Sequence, residues 1–163
     1  MTRFAAAHGA DWRRCVAALG SPGRGLGFVY FTDALLGEAG RILEALRAQT
    51  GVQDWIGSVG TGVLACGTEY QDAPAVAAMV ADVSDYAVFS GRRPLRGAAP
   101  HFAVVHADPA APDLVGLVSD MSFKVATGHV VGGLSSTAGG IRPAAPRAAR
   151  RRFGRRECRT ASG

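Results

Sequence analysis

Leu26-Gly27-Phe28-Val29-Tyr30-Phe31-Thr32 is an unbroken apolar run, the pattern of a strand covered on both faces. Thr32-Asp33 supplies a helix cap, and Leu35, Ala39, Ile42, Leu43 and Leu46 then recur at helical spacing, which predicts a helix over Ala34–Gln49. Thr50-Gly51 ends that helix, and Val52 to Gly57 returns as a second apolar strand. Strand, helix and strand in this order make a βαβ unit with a right-handed crossover, and the chain reads as α/β.

Upstream, Trp12, Cys15, Val16 and Leu19 form one apolar stripe and predict a short helix from Asp11 to Gly20. Ser21 to Gly25 is a loop. Downstream, Gly57-Ser58-Val59-Gly60-Thr61-Gly62 lies between apolar runs and predicts a tight hairpin turn leading into Val63–Cys66. Pro74–Val83 and Tyr86–Phe89 are further strand candidates, although the alanine-rich first one also suits a helix. Residues 90–100 form a polar loop carrying Arg92, Arg93 and Arg96.

His101–His106 predicts another buried strand. Pro112 opens a helix with the stripe Leu114, Leu117, Val118, Met121 and Val125, which Thr127-Gly128 ends before a final strand over His129–Leu134. This second strand–helix–strand echoes the first: Phe102-Ala103-Val104-Val105 parallels Phe28-Val29-Tyr30-Phe31, Thr127-Gly128 parallels Thr50-Gly51, and Gly132-Gly133 parallels Gly57-Ser58. No apolar strand pattern follows the second copy. The expected architecture is a mixed β-sheet of six or seven strands from two βαβ-like units with packed helices, incomplete at the C-terminal end.

The 163 residues suffice for one domain with a real core. Residues 142–163 hold eight of the 18 basic residues and one of the 13 acidic ones, net +7; residues 1–141 keep ten basic and twelve acidic groups, net −2. The overall +5 therefore belongs to the terminus. That stretch has no Val, Ile, Leu or Met, and its Arg/Ala/Pro/Gly mixture resembles GC-rich DNA read out of frame, so residues 138–163 are expected to be a disordered or out-of-frame tail. A nucleic-acid-binding tail is the competing expectation, weakened by the single aromatic Phe153. No apolar run reaches membrane-spanning length and no signal-peptide pattern is present. Three scattered cysteines, Cys15, Cys66 and Cys158, predict a reducing, cytoplasmic setting without a disulfide framework.

Chemistry-bearing motifs are sparse. The glycines of residues 57–62 run GxxGxG, with no long helix pattern after them to present backbone N–H groups to a phosphate. Their narrower use is close approach of a small ligand to the backbone, with hydroxyls alongside. That reading selects Gly57, Ser58 and Thr61 on the first glycine segment, and Gly132, Gly133, Ser135 and Ser136 on the second. For nucleophilic catalysis the candidates are Ser135 and Cys66, with His101, His106 or His129 as base. No GxSxG elbow or HExxH pattern supports them, and His101 and His106 read as capping or solvent-facing groups. No metal site and no cofactor is expected.

Gly9-Ala10-Asp11-Trp12, the Phe28-Val29-Tyr30-Phe31-Thr32-Asp33 strand into helix and Asp54-Trp55-Ile56-Gly57-Ser58-Val59-Gly60-Thr61-Gly62 resemble the FIST N domain, as do Glu69-Tyr70-Gln71-Asp72-Ala73-Pro74 and Val131-Gly132-Gly133-Leu134-Ser135-Ser136. The resemblance covers residues 8–137. It implies a non-enzymatic sensory domain of prokaryotic signalling proteins that binds small ligands, amino acids being one class. It also implies a FIST C-like companion, absent from this sequence, and an unspecified signalling effector.

Overall fold

The computed structural model describes residues 4–89 and 98–137. Its centre is a four-stranded mixed sheet in the order β1-β6-β2-β3, formed by β1 (Phe4–Gly9), β6 (Val76–Ala81), β2 (Leu26–Thr32) and β3 (Trp55–Gly60). β2 runs parallel to β3 and antiparallel to β6, which also pairs antiparallel with β1. The expected βαβ unit is there, with α2 (Ala39–Thr50) as its crossover. The alanine-rich segment resolves as strand β6, and β1 adds residues ahead of the expected boundary at residue 8.

Period-two alternation gives the sheet two unlike faces. Val29, Phe31, Trp55, Val76, Ala78 and Val80 pack with α1 (Trp12–Ala18) and α2 in the main core. Trp55 is fully buried, lies over its cross-strand partner Gly27, and its indole N–H donates to Val52 O at 2.9 Å. Asp11 caps α1 through its carboxylate, and Gly51 in the left-handed region closes α2. The opposite face (Phe28, Tyr30, Ile56, Ser58, Ala77, Met79 and His8) is half-buried.

The predicted helix over Ala34–Gln49 begins instead as a 3-10 helix, Asp33–Glu38, before α2. The reason is Thr32. Its buried hydroxyl donates to Ala73 O and accepts from Ala75 N, so it ties β2 to the entry of β6 and makes no helix cap.

The predicted hairpin turn at Gly57–Gly62 is corrected as well. Residues 57–60 continue β3, because a Cβ at Gly57 would overlap the Val29 carbonyl and only glycine lets β2 and β3 pair there. The hairpin comes later: β4 (Gly62–Ala65) pairs with β5 (Thr68–Gln71) through the two-residue turn Cys66-Gly67. Tyr86–Phe89 forms no strand; the Tyr86 hydroxyl is engaged by Asp54 and Gly25 O, so a side chain rather than a ladder holds that segment.

The second echo is a real parallel unit. β7 (Ala103–Ala107) and β8 (Val130–Leu134) pair in parallel around α3 (Leu114–Phe123). Among the described residues these two strands form a separate sheet, as do β4 and β5, so the strands divide among three sheets and do not join in a single one. A two-stranded sheet offers α3 little cover. No residue of α3 is buried, and of the expected stripe Leu117 and Val118 stay exposed while Val125, just past the helix, is buried. The expected tail, 138–163, lies outside the described residues, as do most of the polar loop and its three arginines.

Candidate functional site

The two βαβ units align residue for residue. Gly27-Phe28-Val29-Tyr30 pairs with Trp55-Ile56-Gly57-Ser58, and Ala103-Val104-Val105-His106 with Val130-Val131-Gly132-Gly133. Gly132 repeats the role of Gly57, since a Cβ there would overlap the Val105 carbonyl. Tyr30 and His106 are thus equivalent positions, and so are Thr61 and Ser136.

Both equivalent pairs touch. Tyr30 Oη and His106 Nε2 share a hydrogen bond at 3.1 Å, with ring centroids 5.3 Å apart. The Thr61 N–H donates to Ser136 Oγ at 3.2 Å, and the Ser136 N–H donates to Val59 O at 3.0 Å. This is the bonding of a parallel bridge opposite Gly60 with a hydroxyl in place of one carbonyl. It joins the end of β3 to the residues after β8.

Between the two units lies a cavity of about 580 Å³. The four-stranded sheet contributes Tyr30, Ser58, Gly60 and Ala77 to its wall, and the two-stranded sheet Val104, His106, Val131 and Gly133. Gly62, Val63 and Leu64 of β4 cover one side, and Ser136 stands at the junction. Burial lowers the His106 pKa and raises that of Tyr30, so both rings are held in their neutral forms. The side chains offer a phenol, an imidazole and two hydroxyls among aliphatic groups, which suits hydrogen bonding to a small ligand.

Of the residues selected from sequence, Ser58, Gly132, Gly133 and Ser136 line this cavity. Gly57 permits strand pairing and Thr61 joins the two units, neither being a wall residue. Ser135 bonds Ala107 O through its N–H and, at 3.5 Å, its hydroxyl. Cys66 is exposed at the tip of the β4–β5 hairpin.

Tyr30 and His106 are the principal residues that sequence reasoning missed as a ligand site. His106 neither caps nor faces solvent but is half-buried on Tyr30. The sequence signal was only approximate: the internal echo sets Phe28-Val29-Tyr30-Phe31 against Phe102-Ala103-Val104-Val105, and it is the strand register that moves the counterpart of Tyr30 to His106. Among the described residues no group of His, Cys, Asp and Glu could hold a metal ion, and no helix is long and apolar enough to cross a membrane.

A family model described as the FIST N domain matches residues 25–146. That span contains both βαβ units and every wall residue named above. No curated protein and no solved structure matches the chain.

Proposed function

The chain belongs to the FIST N domain family of sensory domains in signalling proteins, and from that premise we propose that it binds a small ligand in the cavity between its two βαβ units. The observation that carries this reading is the convergence of Tyr30, Ser58, His106 and Ser136, from separate strands and a strand-end loop, on one cavity of about 580 Å³. Such a volume suits a metabolite-sized molecule. Amino acids, the class that the family resemblance implies, are the first to test.

The proposed role is recognition without catalysis. His106 is engaged with Tyr30, and Ser135 with a backbone carbonyl, so the nucleophile-and-base geometry of a hydrolase gains no support from either contact. A cytoplasmic setting, a FIST C-like companion and a signalling effector complete the proposal as its cellular context.

Gly133 supplies the decisive variant. It shares a cross-strand position with His106 on the cavity wall, and a Cβ built on it meets nothing within 4 Å. Gly133→Val therefore fills cavity space without disturbing the strand. In a thermal-shift screen against free amino acids and other small metabolites, a ligand at about 100 times its Kd stabilises the wild-type chain by about 2.7 kcal/mol. Gly133→Val retains its own melting transition and loses that shift. A shift that survives in Gly133→Val, or no stabilising ligand in the panel, overturns the proposal.

A further inference from the structure

We propose that the β4–β5 hairpin is a lid over this cavity and that the hydrogen bond between His8 and Tyr70 is its latch. The inference rests on the reading of the cavity as a ligand site and adds how access to it is controlled.

Strand register places Val63 directly opposite Tyr70, so both side chains project from the same face of the hairpin. Val63 and Leu64 both border the cavity, but Val63 is buried, whereas the next pair, Leu64 and Glu69, belongs to the other face of the hairpin and is exposed. The hairpin thus lays one face on the half-covered side of the central sheet. Tyr70 Oη meets His8 Nδ1 at 2.9 Å, with the rings edge to face. His8 stands on the edge strand β1 opposite Ala77, which in turn stands opposite Tyr30 on its other side. One row across the sheet therefore holds Tyr30 of the cavity floor, the wall residue Ala77, and the residue that retains the lid.

Both feet of the hairpin are fixed. Thr61 is tied to Ser136 at one end, and Thr32 clamps Ala73 and Ala75 at the other. Between those feet, His8–Tyr70 is the side-chain hydrogen bond that joins hairpin to sheet among the described residues. Anchored ends with one polar contact in the middle permit the hairpin to lift as a unit while the sheet stays folded. Gly60 and Gly62 flank the point where it departs from β3.

A thiol reporter inside the cavity tests this on the full chain without any ligand. Ser58→Cys is placed in a Cys66→Ser, Cys158→Ser background, and its rate of reaction with N-ethylmaleimide is measured with and without Tyr70→Phe. Loss of one hydrogen bond corresponds to a three- to tenfold rise in the open population, read as the same rise in labelling rate, with a cooperative melting transition retained. His8→Ala removes the same bond from the other partner; it gives the same rise, and the double variant reacts no faster than either single one. Unchanged labelling in both single variants overturns the latch, as does an additive effect in the double variant. Because the readout needs no ligand, the latch can fail while the thermal-shift screen succeeds, and the reverse result condemns the ligand site alone.

Discussion

Tyr30 and His106 occupy the same position in the two βαβ repeats and hydrogen-bond to each other at 3.1 Å across the cavity between them. A contact between equivalent residues means that the two units face each other about this pair. Whatever perturbs the pair acts on both walls.

Acid is the simplest perturbation. Burial holds the His106 imidazole below its ordinary 6.5. The unfolded chain takes up a proton near that ordinary value while the folded protein still keeps the ring neutral. Stability is therefore full above about pH 6.5 and falls as pH drops toward the lowered folded-state value, where the loss levels off. Melting temperatures across this range decline less in His106→Gln than in wild type. Equal declines would remove His106 as their source.

Tyr86 gives the complementary alkaline prediction. Burial, its hydrogen bond to Asp54 and the nearby Asp54 charge push its pKa up to about 12. Neutral tyrosine is thus favoured in the folded state, and its contribution persists below pH 10 and is lost as pH rises from there toward about 12. Spectrophotometric titration should show Tyr30 and Tyr86 both ionising late, and Tyr86→Phe should remove the step near pH 12. A step near pH 12 that persists in the variant would assign it elsewhere.

Legibility in the sequence followed from whether a residue's role was local. The unit from Leu26 to Gly57 could be read because its apolar runs and Thr-Gly stop are contiguous, and the repeat over residues 103–134 could be read by echo. Gly57 misled, since glycine in a turn and glycine against a neighbouring carbonyl look alike until β2 lies beside β3. Thr32 misled for a similar reason: its hydroxyl had a local helix end to cap and a distant loop to clamp, and the distant loop won. Phe4-Ala5-Ala6-Ala7-His8-Gly9 carries no alternation strong enough to mark a strand, and its identity comes from pairing with β6. The site was half legible, because glycines and hydroxyls are visible in sequence while the meeting of Tyr30 with His106 is made by tertiary structure.

That clamp predicts a large effect for a small change. Thr32→Val keeps the volume but strips partners from Ala73 O and Ala75 N, the latter belonging to a fully buried residue. Leaving the buried Ala75 N–H unpaired costs about 1–3 kcal/mol, while the carbonyl of exposed Ala73 can turn to water, so a loss of ~2 kcal/mol is expected in denaturant unfolding. Thr32→Ser keeps the hydroxyl and retains most of the stability. If Val and Ser behaved alike, packing and not the two hydrogen bonds would explain Thr32.

The hairpin turn offers a gain instead of a loss. Cys66 (φ 48°) and Gly67 (φ 78°) are both left-handed, the requirement of a two-residue type I′ turn. Cysteine has no preference for that conformation, whereas asparagine adopts it readily and Asn-Gly is the favoured pair. Cys66→Asn should stabilise the fold by about 0.5–1 kcal/mol, a rise of a few degrees in Tm. A fall in Tm would show that the thiol makes a contact worth more than the turn.

The twin glycines separate the two units. Alanine at Gly57 forces its Cβ onto the Val29 carbonyl, and alanine at Gly132 does the same to Val105, so each substitution parts one parallel strand pair at a cost of ~3 kcal/mol or more. The consequences differ because the pairs differ in what depends on them. β2 and β3 carry the main core with α1 and α2, including fully buried Trp55, while β7 and β8 form a two-stranded sheet whose helix buries none of its residues. Gly57→Ala should therefore shift tryptophan emission to the red and abolish the cooperative transition. Gly132→Ala should leave emission and the main transition in place while removing any ligand-induced thermal shift, because one wall of the cavity is displaced. If both variants unfolded together, the two units would form one cooperative block, and the separate dependence of the second unit on Gly132 would have to be abandoned.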